Sequence, residues 1–255
     1  MEKILEANNL TKTYTVHETH HIDVLKQINV SIYSGEFVTI MGPSGSGKST
    51  LLHQLSGMDQ ATSGDILFQQ ASIFHLDDKK LSSLRLHDMG FIFQDHCLLK
   101  NLSLFENIIM PAYYANNLPR KQIDHKAFKI MKQLGIYELR DRDINQVSGG
   151  QLQRASICRA LMNDPMILFA DEPTGALNAA TAEEVLDILK QINQSGTTIL
   201  MVTHDMKVAA KSERILYMFD GRLIGEKRFE SDSVMLFSQE TKEKILNNWL
   251  LEKNF

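Results

Sequence analysis

The chain has 255 residues, of which 43% are hydrophobic and 23% are charged, so it can bury a sizeable core as one large domain or as a core with a subdomain. Its net charge of −4, without a long basic run, argues against nucleic acid as the main partner. The two cysteines, Cys97 and Cys158, have no metal-ligand neighbours at close spacing, which favours a reducing compartment over a disulfide. We expect no secretory signal, and the apolar runs are far too short to cross a bilayer, so a membrane role would need another chain to span it.

The predicted elements alternate between strands and helices along most of the chain. The first two are long alternating strands at 3–15 and 24–33, joined by the polar stretch 16–23, and they are typical of an antiparallel pair. Short, mostly continuous apolar runs then predict buried strands of a mainly parallel sheet at 37–41, 66–68, 91–93, 166–170, 198–203 and 214–219. Helical spacing of apolar residues predicts helices at 48–57, 103–113, 120–134, 151–162 and 181–193.

The pattern of strands changes in the middle of the chain and again at its end. Strand signals vanish between about 95 and 163, which predicts a helical insertion inside one domain at 2–228. Residues 229–255 are expected to form a C-terminal helical extension. Its segment 238–252 is amphipathic, with Ile245, Leu246, Trp249 and Leu250 on one face. Packing on the core is the simpler role for this helix, and docking to a partner or to a second copy is the alternative.

The most specific motif is the segment 42–50, which matches G-x-x-x-x-G-K-[ST] between a predicted strand and a predicted helix. Its glycines allow backbone N–H groups to face a phosphate, and the N-terminus of the helix adds its own N–H groups. Lys48 would reach the β- and γ-phosphates, and the Ser49 hydroxyl would ligate Mg²⁺. We therefore predict that a nucleoside triphosphate binds here, at Gly42, Pro43, Ser44, Gly45, Ser46, Gly47, Lys48, Ser49 and Thr50.

A pair of carboxylates follows the predicted strand at 166–170. Asp171, at the end of this strand, can hold Mg²⁺, and Glu172 can polarise a water for attack on the γ-phosphate. The alternative is a strand that merely ends in solvated acids. Because a phosphate-binding motif lies upstream, we favour the catalytic interpretation.

A second candidate phosphate site opens the predicted helix that follows residue 148. Its sequence is a serine, two glycines and a glutamine, which suits a helix N-terminus that binds an anion. One phosphate cannot easily use two such sites on the same chain. We therefore expect the second site to serve a nucleotide bound by another copy. Its residues are Ser148, Gly149, Gly150 and Gln151.

These motifs, followed by His204 after a later apolar strand, stand in the order found in the ATP-binding subunits of ABC transporters. The chain resembles that family over about residues 2–228. The resemblance implies an α/β fold in which a P-loop NTPase core with a mostly parallel sheet carries an N-terminal antiparallel β part and an inserted α-helical subdomain. It also implies an ATP hydrolase with ATP and Mg²⁺ as its cofactors.

The resemblance assigns roles to further residues by position. Tyr14 would stack on adenine, Gln94 would touch Mg²⁺ and the attacking water and face a membrane partner, and His204 would contact the γ-phosphate. For Tyr14 the alternative is an aromatic packed in the core. The implied catalytic residues are then Glu172, His204, Lys48 and Gln94, and the implied Mg²⁺ ligands are Ser49, Gln94 and Asp171.

Two other features bear on these assignments. The loop after the two carboxylates ends in Asn178 where the family usually has Asp, which keeps the hydrogen-bonding shape and loses the charge. The cluster His-Glu-Thr-His-His at 17–21 could suggest a metal site, but solvated histidines in a polar connection are the expected outcome.

Shorter features resemble particular branches of the family. The long connection at 16–23 and the sequence from 42 onward resemble the macrolide-export and lipoprotein-release branch. Within it, the stretches 174–178 and 248–251 resemble the bacitracin and antimicrobial-peptide resistance ATPases. The resemblance therefore implies a subunit that powers a membrane permease in antimicrobial-peptide resistance or export. The alternatives are a lipoprotein-release, macrolide-export or cell-division-type permease complex, or an ABC ATPase that acts on DNA or on the ribosome.

The expected assembly follows from the same resemblance. Two copies would close head to tail on two ATP molecules, each site joining 42–50 of one copy to 148–151 of the other. An integral membrane permease would hold this homodimer at the cytoplasmic face of the cell membrane, and the insertion would pass the motion of the dimer to it. A sensor kinase is a further candidate for the same complex, and we expect no nucleic acid partner.

Overall fold

The computed structural model describes residues 2–16, 20–229 and 238–253. In chain order the elements are β1 (Lys3–Val16), β2 (His20–Tyr33), β3 (Phe37–Met41), α1 (Lys48–Leu55), β4 (Ser63–Phe68), β5 (Ala71–Ser72), α2 (Asp78–Asp88), β6 (Met89–Phe93), α3 (Leu104–Ala115), α4 (Arg120–Gln133), α5 (Gly149–Ala160), β7 (Ile167–Asp171), α6 (Ala179–Gln194), β8 (Thr198–Thr203), α7 (Met206–Ala209), β9 (Arg214–Phe219), β10 (Arg222–Arg228) and α8 (Gln239–Glu252). They fall into two compact units. The first unit is Met1–Asp77 with Thr198–Phe255, and the second is Asp78–Thr197.

The first unit contains two groups of paired strands. In one group β1 pairs antiparallel with both β2 and β4, and β5 extends β4. In the other, β3 lies between β8 and β9 and is parallel to both, while β10 pairs antiparallel with β9. Every residue of β3 and β8 is buried. Strands covered on both faces need apolar side chains on both faces, which explains their continuous apolar sequences.

The second unit combines a pair of parallel strands with helices. β6 and β7 are in register from the pair Met89–Ile167 to the pair Phe93–Asp171. The rings of Phe91 and Phe169 stack between these strands, with their centroids 5.5 Å apart. The helices α3, α4 and α5 pack on one another in the stretch where the sequence predicts an insertion.

The C-terminal helix α8 packs on the core of the first unit. Leu246 is fully buried, and Ile245, Trp249 and Leu250 lie against the same cluster, so the predicted apolar face is the face that packs. The ring of Trp249 meets that of Tyr217 edge to face, with 6.3 Å between their centroids. Among the described residues, no helix has both the length and the apolar character that a bilayer span requires.

Four observed elements are absent from the predictions, namely α2, β10 and the short β5 and α7, and β2 begins earlier than predicted. The helix α2 is absent from them because none of its residues is buried, so it has no apolar stripe to detect. The strand β10 is absent because its residues alternate only between exposed and half-buried. β2 starts at His20 rather than at 24. Its polar first residues pair with the end of β1 through backbone hydrogen bonds, which do not require an apolar sequence. Residues 17–19 of the histidine-containing cluster lie outside the described residues.

Candidate active site

The segment 42–50 connects β3 to α1 and relies on glycine in two different ways. Gly45 has φ +79° and Gly47 has φ +100°, which are left-handed conformations that side chains rarely adopt. A Cβ on Gly45 would meet no atom within 4 Å, so the space beside this backbone is open. A Cβ on Gly47 would lie 2.8 Å from the carbonyl oxygen of Val24, and one on Gly42 would lie 2.0 Å from that of Met218.

Two buried polar side chains stand in the same segment. The ammonium group of Lys48 donates to the carbonyl oxygen of Pro43 at 2.8 Å, and Lys48 is only 6% exposed. The hydroxyl of Ser46 is buried and has no hydrogen-bond partner within the described part of the chain. A buried hydroxyl without a partner, such as that of Ser46 beside open backbone, is costly without a ligand. This set of groups therefore fits a phosphate.

His204 follows β8 as the segment 42–50 follows β3. Met41 and Thr203 are paired in these two parallel strands, so both segments leave the same edge of the sheet. Ligands of parallel sheets bind at the carboxyl ends of the strands, which makes this edge the expected place for a nucleotide. The side chain of His204 is exposed there, and the next residue, Asp205, caps α7 by accepting from the N–H of Lys207 at 2.7 Å.

Tyr14 lies on β1 in the first unit and is 40% exposed, so it is not a core aromatic. Its hydroxyl donates to Asp59 Oδ2 at 2.8 Å, and Lys12 Nζ lies 4.7 Å from the centroid of its ring. No motif in the sequence marks Asp59 or Lys12 as part of this site. Asp59 is 45 positions from Tyr14, and no local pattern links the two.

Gln94, Asp171 and Glu172 come together at one end of the β6–β7 pair in the second unit. Phe93 of β6 and Asp171 of β7 form the last pair of the two strands, and Gln94 and Glu172 are the next residues after them. Glu172 has φ +44°, an unusual conformation for a non-glycine residue that costs on the order of 1–3 kcal/mol. Carboxylate and amide oxygens are the ligands that Mg²⁺ prefers, so the donor set here fits that ion.

The loop after Glu172 lies directly against Gln94. The N–H of Gly175 donates to the carbonyl oxygen of Glu172 at 3.0 Å. A Cβ on Gly175 would lie 3.1 Å from Gln94 Nε2, so a side chain there would press on the amide of Gln94. Asn178, at the end of this loop, caps α6 by accepting from the N–H of Thr181 at 3.0 Å. Asn and Asp serve almost equally well as N-caps, so the departure from the family pattern preserves the cap.

The chain after Gln94 is held by α5. His96 and Cys97 have φ of +59° and +49°, and the guanidinium of Arg159 donates to the carbonyl oxygens of both. The ring of His96 is hydrogen-bonded to Gln153, also on α5. Burial lowers the pKa of Arg159, yet a guanidinium stays charged. The segment that leaves Gln94 is thus fixed to the helix that begins at the second candidate phosphate site.

The second candidate phosphate site is complete as a helix cap. The Ser148 hydroxyl accepts from the N–H of Gln151, and the N–H of Ser148 donates to Gln151 Oε1 at 2.8 Å, which forms a capping box. A Cβ on Gly150 would lie 2.1 Å from Thr181 Cγ2, so packing against α6 requires glycine there. A Cβ on Gly149 would approach nothing closer than 3.6 Å. Packing does not require glycine at 149, which leaves room for a group from outside.

The two cysteines are not joined in a disulfide and lie in different environments. Cys97 is exposed and Cys158 is buried, both are free thiols, and burial raises the pKa of the Cys158 thiol far above its ordinary value. Within the ranges that the structure describes, no group of three or more His, Cys, Asp or Glu side chains is arranged to hold a metal ion.

Comparison with known proteins identifies the family. A family model described as ABC transporter matches residues 25–175. The chain is 43% identical over 221 residues to the bacitracin export ATP-binding protein BceA of Halalkalibacterium halodurans, covering 86% of this chain and 87% of that one. It is 40% identical over 244 residues to the macrolide export ATP-binding/permease protein MacB of Pasteurella multocida, covering 96% of this chain and 37% of that one, so it spans about a third of that longer relative.

A solved structure supports the same conclusion. The dimeric post-hydrolysis state of the ATP-binding cassette MJ0796, bound to ADP and Pi, superposes with a TM-score of 0.83 at 38% identity and covers 89% of this chain and 99% of that chain. This likeness confirms the predicted α/β fold of a P-loop ATPase. The chain therefore belongs to the ABC transporter family, in which it is an ATP-binding and ATP-hydrolysing subunit.

Proposed function

We propose that this chain works as a homodimer that couples hydrolysis of Mg²⁺-ATP to an integral membrane permease in antimicrobial-peptide resistance or export, of the bacitracin type. The observation that carries this proposal is the presence of two different helix N-termini suited to phosphate on one chain, at 42–50 and at 148–151. Similarity to BceA over most of both chains supports the substrate class.

The residues of the first site bind and hold the nucleotide. Backbone N–H groups of the segment 42–50 would face the phosphates, and Lys48 would neutralise negative charge on the β- and γ-phosphates. Tyr14 stacks on adenine. Ser49, Asp171 and Gln94 would hold Mg²⁺, which when bound supplies charge neutralisation at the phosphate oxygens.

The hydrolytic step uses side chains that activate water and stabilise the γ-phosphate. Glu172 accepts a proton from the attacking water or orients it, and its unusual backbone conformation fixes where its side chain starts. His204 donates a hydrogen bond to a γ-phosphate oxygen. Little covalent chemistry is required of the protein in phosphoryl transfer, so positioning these groups is the main source of catalysis.

The second site supports a head-to-tail dimer. Because Ser148 and Gln151 satisfy each other, the space beside Gly149 is what remains for a ligand. A nucleotide held at 42–50 of a second copy is the ligand that we propose for it. The dimeric MJ0796 structure, bound to ADP and Pi, is consistent with this assembly.

We propose that the helical segment at about 95–163, within the domain 2–228, passes the motion of the dimer to the permease. Binding to the permease would hold the dimer at the cytoplasmic face of the membrane. The helix α8 packs on the first unit, and we propose that the C-terminal extension at 229–255 stabilises that unit. A macrolide-export, lipoprotein-release or cell-division-type permease complex is the second candidate, and similarity to MacB favours it. A sensor kinase in the complex remains a prediction from sequence.

Replacement of Glu172 by Gln tests the catalytic assignment. The variant should still bind ATP and should accumulate as an ATP-bound dimer, while steady-state turnover falls about 100-fold or more because the base is lost. Gel filtration with ATP and a phosphate-release assay measure the two effects. Glu138→Gln is the matched control, since Glu138 is an exposed glutamate of the same unit. Normal turnover of Glu172→Gln would refute the assignment.

The substrate class is tested with the complex of the chain and its co-purified permease. We expect bacitracin to stimulate the ATPase activity of this complex, and a macrolide to leave it unchanged. Stimulation by the macrolide alone would instead favour the second candidate.

A further inference from the structure

Asp59 is the centre of a hydrogen-bond network in the first unit. It lies between α1 and β4, and its carboxylate accepts four hydrogen bonds. On Oδ1 they come from Lys12 Nζ at 2.9 Å and from the N–H of Gln60 at 2.8 Å. On Oδ2 they come from the Tyr14 hydroxyl at 2.8 Å and from Gln54 Nε2 at 2.7 Å. Each carboxylate oxygen thus has two donors, so the orientation of the whole group is fixed.

Lys12 and Tyr14 lie two positions apart on β1, so their side chains leave the same face of the strand. The ammonium group of Lys12 is 4.7 Å from the centroid of the Tyr14 ring, within the range of a cation–π contact. Lys12 also donates to the carbonyl oxygen of Gln60 at 2.6 Å, and its side chain is only 11% exposed. The cation is therefore held over one face of the ring, while Tyr14 itself remains 40% exposed.

The same network ties Tyr14 to the phosphate-binding helix. Gln54 is fully buried on α1, the helix that begins at Lys48. The side chain of Thr50, the last residue of the phosphate-binding motif, also interacts with the Tyr14 hydroxyl. The ring is thus held in a fixed position relative to α1 before any ligand arrives. A ring that is already immobile loses less conformational entropy when a ligand stacks on it.

Both groups of the central contact are in the protonation state that it needs. Burial raises the pKa of Asp59, but hydrogen bonds from Lys12 and Tyr14 and the charge of Lys12 outweigh it and keep that pKa below its ordinary value. Burial, together with the Asp59 carboxylate, raises the pKa of Tyr14. At neutral pH Asp59 is therefore an ionised acceptor and Tyr14 a protonated donor.

We propose that Asp59 is a positioning residue for the base of the nucleotide. It fixes the Tyr14 ring through the hydroxyl and holds Lys12 over one ring face, so that the opposite face is presented to adenine. This inference rests on the proposed function, in which Tyr14 stacks on the base of a nucleotide bound at 42–50. It adds two residues, Asp59 and Lys12, that no motif of the sequence identifies.

Calorimetric titration with two ligands tests this role. ADP carries both base and phosphates, whereas inorganic tripolyphosphate carries phosphates alone. Tyr14→Phe keeps the ring but removes its hydroxyl, and Asp59→Asn removes the charge that holds Lys12. We expect each variant to bind ADP about two- to tenfold more weakly, because the ring must then be ordered on binding, and to bind tripolyphosphate as the unmodified chain does.

A control and a double variant separate positioning from a general structural role. Asp23→Asn is the matched control. Asp23 lies on β2 and accepts from the hydroxyl of Thr13, the neighbour of Tyr14 on β1, and it has no hydrogen bond to Tyr14 among those described. In a Tyr14→Ala background, Asp59→Asn should cause no further loss of ADP affinity, since no ring is left to position.

Three results would overturn the inference. They are unchanged ADP affinity in both single variants, an equal loss for ADP and tripolyphosphate, and a further loss from Asp59→Asn in the Tyr14→Ala background. Failure of the unmodified chain to bind either ligand would overturn the proposed nucleotide site itself. Thermal unfolding of each variant without ligand shows that the fold is kept.

Discussion

The two candidate phosphate sites of this chain are both helix N-termini with glycines, but they satisfy their polar groups differently. At α5, Ser148 and Gln151 bond to each other and close the helix end. At α1, the N-cap position is Gly47 in a left-handed conformation, and no side chain caps the helix. The Ser46 hydroxyl beside it also has no partner in the part of the chain that the structure describes.

This difference indicates what each site can do alone. The site at α1 keeps one buried hydroxyl, that of Ser46, without a partner among the described residues, so one copy should suffice to bind a nucleotide there. The site at α5 is already stable without a ligand and offers only the space beside Gly149. It can therefore complete a site that another copy brings to it.

The largest expected effect comes from placing a charge in the open space at α5. In Gly149→Asp the carboxylate suits a helix N-terminus, so the fold should be kept. The same charge repels a phosphate, so ATPase activity should fall about 100-fold while ADP binding by the single copy is unchanged. A phosphate-release assay and calorimetry measure these quantities, with Gly149→Ala as the control. If ADP binding fell in parallel with activity, the two sites would not be independent as the comparison requires.

A smaller effect is expected at the neighbouring glycine, where packing rather than ligand access sets the sequence. Gly150→Ala would drive its Cβ into Thr181 Cγ2, so we expect the free energy of unfolding to fall by about 1–3 kcal/mol. Thr181→Ser removes that methyl group and should restore most of the loss in the double variant. Urea unfolding measures both values. A loss that Thr181→Ser does not relieve would contradict the contact with α6 as its cause.

The smallest effect is expected at a third helix N-terminus, that of α6. Asn178→Asp should change the free energy of unfolding by less than about 0.5 kcal/mol, because Asp accepts from Thr181 as Asn does and its charge suits the helix end. Asn178→Ala removes the cap and should cost about 1 kcal/mol. Thermal unfolding distinguishes the two. Equal destabilisation by both variants would show that the amide, and not the cap, is what position 178 needs.

The parts of the fold that sequence predicted well are those in which burial dictates composition. The strand at 37–41 and the strand at 198–203 were predicted with the observed bounds, because every one of their residues is covered. α2 is not predicted because none of its residues is buried, and a helix without a buried face need not show the periodic apolar pattern by which helices are recognised.

The candidate site also has a part that sequence predicts and a part that it does not. Motifs such as 42–50 are contiguous, because one loop and one helix N-terminus supply all their groups, so a pattern can detect them. Asp59 is 47 positions from Lys12 and 45 from Tyr14, so its contacts with them depend on the tertiary structure, including the pairing of β1 with β4. No local pattern records such a contact. The cap that Asn178 provides is, in contrast, local, because its partner Thr181 is three positions away.

The packing of α8 has a practical consequence for experiments on this protein. Trp249 is the only tryptophan of the chain, so selective excitation of indole observes a single position. Its ring contacts Tyr217, and the carbonyl oxygen of the next residue, Met218, is the atom that a Cβ on Gly42 would approach to 2.0 Å. The protein therefore carries an intrinsic fluorophore that contacts β9, the strand against which Gly42 of the phosphate-binding segment packs. Its emission can follow unfolding of the first unit, and nucleotide binding to it, without any attached label.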